Sequence, residues 1–105
     1  MPIKEFNGLS VEVDEEGFLT DRTVWNKDIA AAIAVEEGIG PLTDRHFDVI
    51  NFMREAFEKH GTAPSIRQMN KMNIIPTREL YELFPGGPAK KAAKIGGLPK
   101  PRGCV

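Results

Sequence analysis

Cys104 is the only cysteine in the 105-residue chain, and it stands one residue from the C-terminus. A thiolate attacks sulfur well, with a reactivity set by its pKa and its access. Lys94, Lys100 and Arg102 surround the approach to Cys104 with positive charge, which favours the thiolate. One cysteine cannot form an internal disulfide, a Cys-x-x-Cys redox pair or a Cys-rich zinc site. The two histidines, His46 and His60, are fourteen residues apart in sequence, so neither a metal nor another cofactor is expected. What a lone accessible thiol can do is accept sulfane sulfur as Cys–S–SH, hold it and release it to another thiolate. That task needs reach, exposure and no neighbouring cysteine that would expel the sulfur by forming a disulfide.

Reach comes from the segment in front of the thiol. Residues 96–105 read Gly-Gly-Leu-Pro-Lys-Pro-Arg-Gly-Cys-Val. Gly96, Gly97 and Gly103 loosen the backbone, while Pro99 and Pro101 forbid helix and favour an extended strut. From Leu98 to Cys104 such a strut spans about 20 Å at ~3.3 Å per residue. The expected organisation is a domain over residues 1–95 and a flexible C-terminal arm over 96–105.

The elements that must carry this arm are mostly helical. Asn7-Gly8 lies between Ile3–Phe6 and Leu9–Val13 and supplies the positive φ of a two-residue hairpin turn. Leu9, Val11 and Val13 alternate with polar residues, so one face of the hairpin covers a core. Asn26 caps a helix to about Glu37 that carries Ile29, Ala30, Ile33 and Ala34 on one face. Thr43 caps the next, with Leu42 and Phe47 as a hydrophobic staple and Gly61 at its end. Its stripe of Phe47, Ile50, Met53 and Phe57, widened by Val49, Phe52 and Ala56, marks a central buried helix. Pro64 is expected to open a short helix reaching Met72, and Thr77 to cap Arg78–Phe84 before Pro85. A last helix runs from Pro88 to Lys94 or Ile95. The fold class is mostly α with a small N-terminal β-hairpin: a compact orthogonal bundle of about five helices with a mobile C-terminal arm.

Composition sets outer limits. At 41% hydrophobic and 28% charged residues the chain reads as one globular domain. No apolar run approaches the roughly 18 residues of a membrane span, and Met1–Glu5 lacks the pattern of a signal peptide, so the expected compartment is the cytoplasm. The net charge of −1 hides an asymmetry: residues 1–60 hold six Lys/Arg against thirteen Asp/Glu, residues 61–105 eight against two. Such a split fits nucleic acid, an acidic partner or simply an uneven solvated surface. Lys90, Lys91 and Lys94 form either a docking face or a solvated helix surface. Arg67 either docks the arm or makes an ordinary surface salt bridge. Trp25 and Tyr81 are read as packing residues, His46 as exposed. Ser65–Met72 and Thr77–Phe84 have helix-turn-helix spacing, but the second helix offers Arg78 alone against Glu79 and Glu82, so direct nucleic-acid binding is the lesser alternative.

Several segments resemble one family in order along nearly the whole chain. They are Val13-Asp14-Glu15-Glu16-Gly17-Phe18-Leu19 with Trp25 beyond, Ala63-Pro64-Ser65-Ile66-Arg67, Leu80–Lys90 with its Leu-Phe-Pro-Gly-Gly-Pro core, and Gly97–Val105. These strings are similar to those of the DsrC/TusE family of sulfur-relay proteins, the gamma-subunit family of dissimilatory sulfite reductase. The resemblance implies a small helical fold whose mobile arm carries a functional penultimate cysteine, here Cys104. It implies a sulfurtransferase-type carrier, not a turnover enzyme, supplied by a TusBCD/DsrEFH-like donor complex. The implied acceptor is a tRNA 2-thiouridylase or a sulfite reductase. Members tied to sulfite reduction or sulfur oxidation have a second arm cysteine eleven residues upstream, where this chain has Ala93. That favours the single-cysteine, TusE-like role over a cycle through an internal trisulfide. Only Asn73–Pro76 separates the Arg67 helix from the Leu-Phe-Pro helix, and this resembles the shorter sulfite-reductase-linked members.

Overall fold

The computed structural model describes residues 2–6, 8–71 and 75–101. The chain opens with the antiparallel strands β1 (Ile3–Phe6) and β2 (Leu9–Glu12), in a register that sets Ile3 opposite Glu12 and Phe6 opposite Leu9. Gly8 has φ +80° in the two-residue connection, while Asn7 lies outside the described residues. Phe6, Val11 and Val13 are buried, whereas Leu9 at the hairpin tip is exposed and leaves the cover of the core to them. The Asp14 side chain then accepts hydrogen bonds from the Glu16 and Phe18 amides at 2.9 and 3.0 Å. With Gly17 at φ +90°, this tight turn drives Phe18 and Leu19 into the core, and Val13 bridges Leu19.

Helix α1 (Lys27–Glu36) follows a single 3₁₀ turn at Arg22–Val24 and is capped by Asn26, whose side chain accepts from the Ile29 amide at 2.8 Å. Its buried residues are the expected Ile29, Ala30, Ile33 and Ala34. Helix α2 (Asp44–His60) is capped by Thr43 and ends on Gly61 at φ +74°. The cap is reciprocal. Thr43 Oγ1 accepts from the His46 amide, and His46 Nδ1 accepts from the Thr43 amide at 3.0 Å. His46 is therefore buried, against the expectation of exposure, and its Nε2 donates to the Leu83 carbonyl at 3.0 Å.

Two helix starts also differ from expectation. Helix α3 (Ile66–Lys71) is opened not by Pro64 but by Ser65, which exchanges capping hydrogen bonds with Gln68 at 3.2 and 2.9 Å. Met72, its expected end, lies outside the described residues. Thr77 is the first residue of helix α4 (Thr77–Leu83), with Pro76 before it. Its hydroxyl does not cap α4, because it donates to Asn70 on α3 at 2.6 Å.

Helix α5 (Pro88–Ile95) packs against α1, α2 and α4, with Ala89, Ala92, Ala93 and Ile95 fully buried. Alanines on that face let the neighbouring helices approach closely. Among the described residues the result is five α-helices with an N-terminal hairpin, the expected fold class. The most C-terminal helix lies in its interior.

Candidate functional site: the root of the C-terminal tail

Helix α5 ends in a Schellman motif. The Leu98 amide donates to the Ala93 carbonyl at 2.9 Å and the Gly97 amide to Lys94 at 3.2 Å, with Gly97 at φ +72°. Leu98 is 1% exposed and Gly96 and Gly97 are buried, so the first residues of the expected arm pack into the body. Pro99 and Lys100 are exposed, and Pro101 is buried again.

Two side chains from distant elements meet this turn. Trp25 follows the 3₁₀ turn, and its Nε1 donates to the Ile95 carbonyl at 2.7 Å. Arg54 on α2 donates from Nη1 to the Gly96 carbonyl at 2.6 Å, and its guanidinium lies 4.1 Å from the centre of the Trp25 ring. Burial, and then the nearby Arg22 charge, pull the Arg54 pKa below the usual arginine value, with Glu58 opposing. Arg22 in turn stacks over Phe57 at 4.6 Å and pairs with Glu58 at 3.1 Å.

The expected cationic site residues are divided by the structure. Lys94 is largely buried, paired with Glu37 at 3.0 Å and placed 5.8 Å over the Phe18 ring. Lys91 donates to the Glu37 backbone carbonyl at 3.1 Å. Lys100 reaches back to Glu16 in the Asp14–Gly17 turn at 3.1 Å, an exposed pair. Arg67 is exposed on α3 and joins none of these groups. Arg102 and Cys104 lie outside the described residues. The structure therefore brings both Lys94 and Lys100 to the Asp14–Gly17 turn, Lys94 beside Gly17 and Lys100 on Glu16.

Trp25 packs against the core as its residue type suggests, whereas Arg54 is not singled out by the sequence. A cation beside Met53 and one turn from Phe57, within the broad apolar stripe of α2, was the available signal. A cleft of about 300 Å³ lined by Ala56, His60, Thr62, Pro64, Gln68 and Lys71 shares no residue with the tail root. Among the described residues no group of three or more His, Cys, Asp or Glu could hold a metal ion, and no helix is long and apolar enough to cross a membrane.

Known proteins match the chain along its length. The family model described as DsrC like protein matches residues 5–105. The sulfurtransferase TusE of Pectobacterium atrosepticum is 41% identical over 108 positions, covering 96% of this chain and 98% of its own. The gamma subunit of the dissimilatory-type sulfite reductase of Nitratidesulfovibrio vulgaris is 41% identical over 100 positions, covering 95% of each chain. A crystal structure of dissimilatory sulfite reductase I (DsrI) superposes with a TM-score of 0.85 at 40% identity, covering 99% of this chain and all of that one. The two alignments differ in length. The gamma subunit aligns with this chain almost residue for residue, whereas the TusE carries several residues with no counterpart here. On the full-length match, the shared fold and the terminal sequence strings together, the chain belongs to the DsrC-like family.

Proposed function

We propose that the protein is a cytoplasmic sulfur carrier that takes sulfane sulfur onto Cys104 as a persulfide and passes it to a partner protein. The observation that carries this reading is the full-length relationship to sulfurtransferases of the TusE type in a chain whose only thiol is penultimate. In loading, the Cys104 thiolate attacks the outer sulfur of a donor persulfide. A new S–S bond forms on Cys104, the donor's S–S bond breaks, and the donor leaves as its thiolate. Unloading repeats the exchange with an acceptor thiolate, and no net oxidant or reductant is consumed. Lys100 and Arg102, four and two residues before the thiol in sequence, add positive charge that favours its ionised form. With Ala93 in place of a second cysteine there is no internal thiol to expel the sulfur, so discharge depends on the acceptor. The donor is a TusBCD/DsrEFH-like complex and the acceptor a tRNA 2-thiouridylase.

A second reading, an accessory partner of dissimilatory sulfite reductase, is favoured by one observation. The chain aligns almost without gaps to the sulfite reductase gamma subunit, while the TusE relative is longer. A nucleic-acid-binding role has less support. Glu79, in the first turn of α4, is held by Arg45 of α2 through two hydrogen bonds of 2.8 and 2.9 Å, which leaves an acidic group beside Arg78 and ties up a neighbouring cation.

The test is intact-protein mass spectrometry after incubation with a persulfide donor, with Cys104→Ala alongside. The expected result is a gain of about 32 Da per sulfur in the wild type, removed by reductant and absent in the variant. Wild type that takes no sulfur, or a variant that still does, overturns the carrier reading. Co-purification with a 2-thiouridylase or with sulfite reductase then separates the two acceptors.

A further inference from the structure

The last carbonyls of a helix have no partner within it and are satisfied by caps, side chains or water. At the end of α5 five consecutive carbonyls are engaged by protein groups. Ala92 accepts from the Gly96 amide, Ala93 from Leu98 and Lys94 from Gly97. Ile95 then accepts from Trp25 Nε1, and Gly96 from Arg54 Nη1. The first three bonds are local and sufficient to end a helix. The last two come from side chains 70 and 42 residues away in sequence, and they fall on the residues that set the direction in which the chain leaves.

The two side chains also secure each other. Arg54 stacks on the Trp25 ring, and the opposite constraint is Gly97, where a Cβ would lie 2.6 Å from Trp25 Cδ1. Leu98 closes the arrangement by burial. Beyond Leu98, Pro99 and Lys100 are exposed before Pro101 is buried again. Pro99 has no amide proton to donate, and among the described residues Lys100 pairs with Glu16 in an exposed ion pair.

We infer that Trp25 and Arg54 are positioning residues for sulfur transfer: they clasp the end of α5 and Gly96–Leu98 as a fixed root, so that the segment carrying Cys104 starts from a set place and direction. The inference rests on the carrier reading for its purpose, but not for its geometry. It sets a ruler. Covalent geometry limits the reach from Leu98 to Cys104 to about 20 Å at ~3.3 Å per residue, so a donor or acceptor sulfur must lie within that depth of the surface that docks around the root.

The chain holds one tryptophan and one cysteine, so energy transfer from Trp25 to a small acceptor dye on Cys104 reports the tail without further engineering. Wild type, Arg54→Met and Arg54→Lys are compared by the donor–acceptor distance distribution and by hydrogen exchange of the Leu98 amide. Trp25→Phe, which keeps a ring but removes the donor to Ile95, is followed by exchange alone. Arg54→Met is expected to broaden the distribution, to shift Trp25 emission to the red and to speed Leu98 exchange at least tenfold. Arg54→Lys, which retains a cation over the ring, is expected to restore most of each. An unchanged distribution and unchanged exchange in Arg54→Met overturn the clasp. Sulfur transfer supplies the functional arm. Arg54→Met should load at the wild-type rate from a small-molecule persulfide but require a higher concentration of a persulfidated TusBCD/DsrEFH-like complex. Equal slowing with both donors, or slowing with neither, overturns the positioning role. If wild type loads from no donor, the carrier reading fails, while exchange and energy transfer still decide whether the clasp exists.

Discussion

Gly97 lies so close under the indole of Trp25 that a methyl group on its Cα would sit 2.6 Å from Cδ1 and 2.8 Å from Cγ. Its φ of +72° independently disfavours any side chain. Gly97→Ala should therefore cost about 2–4 kcal/mol, from the left-handed backbone and from overpacking together. Gly61 supplies the control, because its φ is nearly the same at +74° and nothing lies within 4 Å of its would-be Cβ. Gly61→Ala should cost about 1 kcal/mol. Urea denaturation of both variants isolates the contact with Trp25, and equal costs would show that the indole yields freely.

His46 takes the place that Glu or Gln usually fills in a capping box, and it also bridges to Leu83 and meets the Phe84 ring edge-on at 5.2 Å. Because Nδ1 accepts from the Thr43 amide, the ring proton sits on Nε2. His46→Ala removes the reciprocal half of the capping box and leaves the Thr43 amide and the Leu83 carbonyl without these partners, a loss of about 2 kcal/mol. His46→Gln retains a side-chain acceptor at the capping position and should recover about half. A glutamine variant no more stable than alanine would place the whole effect in the Leu83 and Phe84 contacts.

Glu79 is held below the usual carboxylate pKa, first by its hydrogen bond from Arg45 and then by the charge of Arg45, with desolvation acting the other way. The Arg45 pKa is raised, chiefly by the same hydrogen bond. A carboxylate whose folded pKa is depressed contributes stability above its unfolded pKa and loses it as pH falls through the folded value. The stability gap between wild type and Glu79→Gln should be present at neutral pH and close on acidification below the ordinary carboxylate range. Thermal melts across that range check it. The pair is solvent-exposed on the Arg45 side, so the gap should be small and shrink with added salt. Asp21, lowered by hydrogen bonds from Thr23, acts in the same direction and is removed from the comparison by measuring both proteins in parallel.

Local chemistry was legible in the sequence, and contacts across the fold were not. Asn26, Thr43 and Gly61 act within three or four residues of themselves, and each stands where its type requires. Ser65 was legible in the same way, since Gln68 three residues on completes its capping box, but Pro64 is the more conspicuous helix-start signal. Thr77 fails as a cap because its hydroxyl is taken by Asn70. His46 is buried because Leu83 offers it a carbonyl from 37 residues away. The tail root is the extreme case. The Pro-x-Pro strut and the terminal cysteine announce themselves, yet the groups that fasten them are an indole and a guanidinium whose partners lie 70 and 42 residues away.

The interior position of α5 has a consequence for biosynthesis. Ala89, Ala92, Ala93, Ile95 and Leu98 are among the most deeply buried residues of the protein, and α1, α2 and α4, against which they pack, are all made earlier. Those helices leave the ribosome with their shared groove still open, and the core closes only when α5 arrives to fill it. A nascent chain is thus unable to complete its fold before the residues just ahead of the thiol have been made.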